Sequence, residues 1–511
     1  MHANLLALIH AADRRVYACS LTGRSHAGVG PAEDSMVSRQ YPLQQMDETW
    51  LPRLRPDVRA EKVIRSAMGW GLAWPWFDRL ALWSLVRYYF PISRMWAAAA
   101  ASNGVPARFL SGVPMTAQGI DIDRLQAVLF RTESARATVA AIDQRWEAVF
   151  FGDATAPVEE RVALEAARLD AADTFNRLRG SYRFLLRKGV PIVKAQAPGM
   201  DEVEAAYGRY RDDRSTLFAA PDPMPRVQSS RRVPGAVGTD FWLRFDSPHA
   251  RPGGSVYARV HEPDGVRNPP SLIFAHGICV DFDHWHGLVD EVDALCAMGV
   301  RVIRPEAPFH GRRRPEGRYS GEAIVATSPI GGLDCFVSAL REWSVLANWA
   351  RQTSDGPLAI GGSSLGALSS LLCADVSRHW PAALRPKAML LITHAGHQSD
   401  ALIDGELAMA WKSRDAMTRA GWTRDKVQGY MRLLDPDWNE APVMNPDHII
   451  TVLGRYDRVT PTETGLQLMD AWRVPQQNRF LWKRGHFSVP MTMIRRSEPL
   501  EAFVRILSRI E

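Results

Sequence analysis

The sequence predicts an α/β fold, a mostly parallel sheet wrapped by helices over residues 240–511, preceded by a mainly helical N-terminal domain. Three observations carry this. Five apolar runs, Ser271–Ala275, Val300–Arg304, Leu358–Gly362, Ala388–Ile392 and His448–Leu453, alternate with helix-length stretches; strands buried on both faces and their crossover helices read this way in sequence. Two long stretches before residue 190 repeat apolar residues every three or four positions, the period of an amphipathic helix. Between these regions, a run of prolines from Pro191 to Pro234, with Gly235 and Gly238, marks a connecting segment.

Taken in order, residues 1–60 show no sustained period and read as a loosely ordered lead-in. Residues 61–200 read as a helical N-terminal or cap domain. A tryptophan-rich run (Trp70, Trp74, Trp76, Trp83, Trp96) suggests short helices broken at Pro75 and Pro91, with core packing as the default role of the rings. Leu125, Val128, Leu129, Val139, Ile142 and Trp146 then define one helix, and Val162, Leu169, Phe175 and Tyr182 a second. The Gly152–Pro157 turn joins them as a hairpin, with Pro157 near the first helical position. Residues 201–239 read as a linker. Residues 240–511 form the α/β domain, opened by strands at Asp240–Phe245 and Ser255–His261. An aromatic insertion at about 400–438, carrying Met409, Trp411, Met417, Trp422, Tyr430, Met431 and Trp438, suits either a lid over an apolar substrate or simple packing.

Composition narrows the function classes. The chain has 511 residues, 46% hydrophobic and 23% charged, with a formal charge of +6, an ordinary globular balance. Its basic residues are scattered rather than clustered, so no nucleic-acid partner is expected. Cys19, Cys279, Cys296, Cys335 and Cys373 are odd in number, widely spaced and form no CxxC pair, which argues against a disulfide framework and a zinc cage and suits a reducing cytoplasm. The stretch from Met1 lacks a basic n-region, and Ala67–Phe90 is interrupted by Pro75, Asp78, Arg79 and Arg87. Neither a signal peptide nor a transmembrane segment is expected.

The chemistry concentrates in three local patterns. Gly362-Ser363-Ser364-Leu365-Gly366 fits G-x-S-x-G between a strand and a helix, where a sharp turn exposes Ser364 and needs small residues, the elbow glycines Gly362 and Gly366, on either side. A serine hydroxyl needs a base and an orienting acid. Asp457 lies in the loop after His448–Leu453, and His486 follows the short apolar run Phe480–Trp482 and Gly485, giving the chain order Ser, Asp, His. The backbone N–H groups of Leu365 and Ile278 are the candidate oxyanion donors, the second because Gly277 lets the chain turn after the strand Ser271–Ala275. His276 reads as a structural hydrogen-bonding residue beneath that loop, and Cys279 as a packing residue.

Through His276-Gly277, Arg304–Gly311, Gly362–Gly366, Asp457 and His486, residues 240–511 resemble the α/β-hydrolase superfamily. The segment Pro308–Pro315 is similar to the P-x-x-G-R-R-x-P stretch of the group containing α/β-hydrolase domain protein 18. The resemblance implies the α/β-hydrolase fold and triad chemistry but supplies no substrate. The expected function is a serine hydrolase cleaving a carboxylic ester through an acyl-enzyme. Thioesterase, amidase, C–C hydrolase and acyltransferase activities share the same oxyanion problem, and a non-catalytic binding module with a hydrolase fold is the rival class.

Several other features have a bland and a sharp reading. Arg312, Arg313, Arg314 and Arg318 suit an anion clamp, but ion-paired loop residues are the commoner case. Asp281, Asp283, His284 and His286 lack metal-cage spacing, so no metal or other cofactor is expected. His394 and His397 read as loop residues. The expected partner is a small-molecule ester with an apolar part, and self-association is left open.

Overall fold

The central strands are rich in Ile, Leu, Val and Met, and this decides what they can do. β5 (Ser271–Ala275), β8 (Ala388–Ile392) and β9 (Ile449–Gly454) are buried at every position, as parallel strands covered on both faces must be. Side chains alternate between the two faces. Ile273, Ile360, Met389, Leu391 and Ile449 enter one cluster with the helices Ile330–Thr353 and Leu365–Val376. Leu272, Phe274, Ala359, Leu390, Ile392 and Ile450 enter another with the helices Glu291–Ala297 and Glu498–Leu507. In the last of these, Leu500, Phe503 and Leu507 recur at helical spacing and are all buried.

The computed structural model describes residues 74–116, 118–280 and 291–510. β1 (Gln228–Ser229) and β2 (Val233–Pro234) both pair with β3 (Thr239–Asp246). With β4 (Ser255–Glu262), β6 (Arg301–Pro305), β7 (Leu358–Ser363) and β10 (Arg479–Trp482), the sheet order is β1-β3-β4-β6-β5-β7-β8-β9-β10. β4 runs antiparallel to β3 and β6, and every pairing from β6 through β10 is parallel. The expected α/β class and the dominance of parallel pairing therefore hold. The carboxyl ends of β5, β7, β9 and β10 share one edge of the sheet, the edge at which open α/β sheets carry their sites.

The helical stretch before the sheet differs from expectation in instructive ways. Pro75 starts a helix at Pro75–Ser84, but Pro91 does not break the next one. A π-helical turn at Leu85–Tyr89 leads directly into Phe90–Ala101, and such a turn absorbs the hydrogen bond that proline cannot make. Trp96 is fully buried, whereas Trp74, Trp76 and Trp83 are 44%, 52% and 48% exposed, so core packing describes only one of these four rings. Trp70 lies outside the described residues. The hairpin helices span Ile122–Phe150 and Val158–Arg177; Asp121 caps the first through the Arg124 N–H at 2.9 Å, and Pro157 is the N-cap of the second.

These helices share the sheet's own core. Phe90, Trp96 and Leu125 belong to the same buried cluster as Ile360 and Leu391. Phe90 also stacks on Tyr319 with ring centroids 5.8 Å apart. The stretch expected to be irregular contains a helix at Met200–Tyr207 in addition to β1 and β2. Its prolines punctuate regular structure rather than replace it. No helix among the described residues is long and apolar enough to cross a membrane.

Candidate active site

The turn after β7 is strained in the way a nucleophile elbow requires. Ser364 has φ 55° and ψ −114°, a backbone state costing a non-glycine residue about 1–3 kcal/mol. The Ser364 N–H donates to the Ile392 carbonyl at 2.9 Å, and the Ser364 carbonyl accepts from Leu368 N–H at 2.9 Å, so neighbours on both sides hold it. A Cβ at Gly362 would lie 2.6 Å from the Ala275 carbonyl oxygen, and one at Gly366 only 2.1 Å from the same atom. The elbow glycines are thus needed for space: β5 passes directly beneath the turn.

His486 brings the separate loops together. Its Nε2 lies 3.0 Å from Ser364 Oγ and its Nδ1 2.8 Å from Asp457 Oδ2. Asp457 Oδ1 accepts the Val459 and Thr460 N–H groups, each at 2.9 Å, and Oδ2 also accepts the Thr460 hydroxyl at 2.8 Å. Every oxygen of this buried carboxylate is satisfied, so it has one orientation. With Asp457 accepting, the Nδ1 proton faces it and the Nε2 lone pair faces the serine. The histidine and acid loops are joined by backbone: Tyr456 N–H donates to Arg484 O at 2.9 Å and Arg455 N–H to Trp482 O at 2.8 Å.

The loop after β5 closes the other side. A Cβ at Gly277 would sit 3.5 Å from Ser364 Cβ, so the chain carrying Ile278 runs against the elbow. Two histidines brace it. His276 Nδ1 lies 2.8 Å from the Gly277 carbonyl, and its Nε2 accepts the Ala307 N–H at 3.2 Å. His310 Nδ1 lies 2.9 Å from the Pro308 carbonyl, and its Nε2 accepts the Cys279 N–H at 3.2 Å. Both rings therefore carry their proton on Nδ1 and work as hydrogen-bonding struts. Cys279, at φ 64°, packs against the main core.

A chain-order Ser, Asp, His set after β7, β9 and β10 now lies on a parallel sheet whose second long strand, β4, is reversed. The chain has the α/β-hydrolase fold. Among solved structures with this fold, it is similar to acetyl xylan esterase 1 from Thermoanaerobacterium sp. (15% identity, 61% of this chain and 96% of that one, TM-score 0.40). It is also similar to an acylaminoacyl peptidase from Pyrococcus horikoshii (12%, 56% and 49%, TM-score 0.40) and an S-formylglutathione hydrolase from Agrobacterium tumefaciens (14%, 54% and 98%, TM-score 0.36). No protein-family model and no curated protein matches the sequence. The chemistry of this chain must be read from its own side chains.

The sharper readings of the neighbouring motifs do not fit their surroundings. Arg313 is buried in a pair with Glu342 at 2.6 Å, Arg312 reaches Asp143 at 3.3 Å, Arg318 donates to the Lys194 carbonyl at 2.9 Å, and Arg314 lies over the Trp96 ring. They brace the loop after β6 instead of clamping an anion. In the 400–438 insertion, Trp411, Met417, Trp422, Tyr430 and Met431 are buried and Met409 is exposed. Trp422 donates to the Pro198 carbonyl at 2.8 Å, so packing accounts for these rings. The insertion does touch the acid loop, through Glu406 N–H to Arg458 O at 2.9 Å. Asp281, Asp283, His284 and His286 lie outside the described residues. Among the described residues, no group of three or more His, Cys, Asp or Glu side chains is arranged to hold a metal.

Two residues escaped the sequence reading. Thr460 touches both Asp457 and His486 Nδ1, the latter at 3.2 Å; the D-x-x-T spacing, a local side-chain turn, was its available signal. Asp78 accepts hydrogen bonds from Phe487 and Ser488, more than 400 residues away, and no local pattern announces it.

His394 is fully buried, with Nε2 2.8 Å from Thr451 Oγ1. Burial lowers its pKa to about 4, against smaller opposing effects from the Ala395 carbonyl and Asp457. Unfolding would restore the ordinary value near 6.5, so between pH 6.5 and 4 the unfolded chain binds the extra proton. The stabilisation is complete above pH 6.5 and is lost as pH falls toward 4, by on the order of 3 kcal/mol. Denaturant midpoints at pH 7 and 4.5 should differ less in His394→Gln than in the wild type. Equal differences would count against this assignment.

Proposed function

We propose that this protein is a serine hydrolase that cleaves a carboxylic ester through an acyl-enzyme. The reading is carried by one observation: the continuous Ser364–His486–Asp457 hydrogen-bonded chain at the carboxyl edge of the sheet, with links of 3.0 and 2.8 Å. Ser364 Oγ attacks the substrate carbonyl as His486 Nε2 takes its proton, and Asp457 stabilises the imidazolium that results. The oxyanion rests on the Leu365 and Ile278 N–H groups, which need no reorganisation because the elbow and the braced loop fix their backbones. Collapse expels the alcohol, protonated by His486. A water then donates its proton to His486, attacks the acyl carbon and frees Ser364. An ester asks less of this set than an amide, because an alcohol leaves more readily than an amine and needs less proton donation from His486.

The test is hydrolysis of p-nitrophenyl esters from acetate to decanoate by the wild type and Ser364→Ala. The variant should lose roughly 10⁴–10⁶-fold in kcat. Equal turnover by both proteins would overturn the proposal.

A further inference from the structure

We propose that Asp78, from the N-terminal helical stretch, is a positioning residue that holds His486 for catalysis; the inference rests on the hydrolase reading above. Its Oδ1 accepts the Phe487 N–H at 2.7 Å and the Ser488 N–H at 3.2 Å, and its Oδ2 accepts the Ser488 hydroxyl at 2.6 Å. The Ser488 hydroxyl oxygen in turn accepts the Gly485 N–H at 2.9 Å. The residues on both sides of His486 are therefore tied to one carboxylate, directly at Phe487 and through Ser488 at Gly485. Nothing in the triad itself fixes the backbone there: Asp457 holds the imidazole ring, and Asp78 holds the peptide from which it hangs.

The sequence around His486 is shaped for this contact. A Cβ at Gly485 would lie 2.5 Å from Asp78 Cγ, so the glycine is there to admit the carboxylate rather than to make the loop flexible. Phe487 and Ser488 open the short helix Ser488–Met493, whose first N–H groups have no partners within the helix. Asp78 supplies an acceptor from a distant part of the chain. The helix Pro75–Ser84 is drawn to the same loop by Trp74, whose ring lies 5.6 Å from the Arg484 guanidinium. The N-terminal stretch thus completes the base's support, and the α/β portion alone lacks it.

A positional error of about 1 Å at a reacting group costs up to about 100-fold in rate. Asp78→Ala should therefore slow both kcat and fluorophosphonate labelling of Ser364 by roughly 10- to 100-fold. KM should stay within about twofold, because the carboxylate orients the base rather than binding substrate. Asp78→Asn keeps an oxygen for the Phe487 and Ser488 amides and should recover most of the loss. Ser488→Ala, which removes only the hydroxyl links, should fall between. Active-site titration separates positioning from folding. If Asp78→Ala lowers only the fraction of titratable sites, and those left react at the wild-type rate, Asp78 is merely structural and the proposal is overturned. Wild-type rates in a fully titratable Asp78→Ala would overturn it equally, leaving the triad reading standing. Failure of the wild type to label at Ser364 would remove both.

Discussion

Replacing Asp457 by Asn is expected to lower kcat by roughly 10⁴-fold while leaving the protein folded. The size follows from which atoms the loop already commits. Asp457 Oδ1 receives the Val459 and Thr460 N–H groups, so an asparagine keeps its carbonyl oxygen there and turns its amide nitrogen toward His486. That nitrogen donates, so Nδ1 must accept and the imidazole proton moves to Nε2, facing Ser364 Oγ. The base then has no lone pair for the serine proton. A calorimetric unfolding scan beside the kinetics checks the outcome: near-normal Tm with the activity gone. Retained activity in Asp457→Asn would assign the orienting role to another group.

Gly366→Ala should be the most damaging single methyl group in the site. Its Cβ would lie 2.1 Å from the Ala275 oxygen and 2.5 Å from the Ala275 carbonyl carbon. Both are backbone atoms of β5, so neither can rotate away. The expected loss is about 3 kcal/mol or more, at the upper end of overpacking costs, along with hydrolysis, because the elbow must move to make room. Gly429→Ala is the control. It lies in the helix Arg424–Met431 with no atom within 4 Å of the added carbon, and alanine there should stabilise by about 0.5–1 kcal/mol. Urea midpoints of the three proteins give the comparison, and a wild-type midpoint for Gly366→Ala would contradict the packing described.

What could be read from the sequence was whatever local pattern encodes. The strands of the sheet announce themselves because burial on both faces demands unbroken apolar runs. Ser364 is visible because the elbow imposes glycines two residues before and after it, and Asp457 and His486 because each follows a strand. Contacts between distant segments leave no such trace. Nothing beside Asp78 points to Ser488, and nothing in Trp422 or Tyr430 tells a substrate-facing ring from one packed on residues 198–204. Pro91 misled for a related reason: its missing N–H is accommodated by a π turn five residues long, which no propensity reveals. The shared core also shapes experiments. Deleting residues 1–200 would strip Phe90, Trp96 and Leu125 from the cluster containing Ile360, so point substitutions are the cleaner probe of the N-terminal stretch.

The most direct test of the central claim is intact mass after treatment with a fluorophosphonate, which traps an activated serine whatever the natural substrate. One adduct on the wild type, absent from Ser364→Ala, is the predicted result. A folded wild type that takes up no adduct, or an adduct that persists in Ser364→Ala, would contradict Ser364 as the nucleophile.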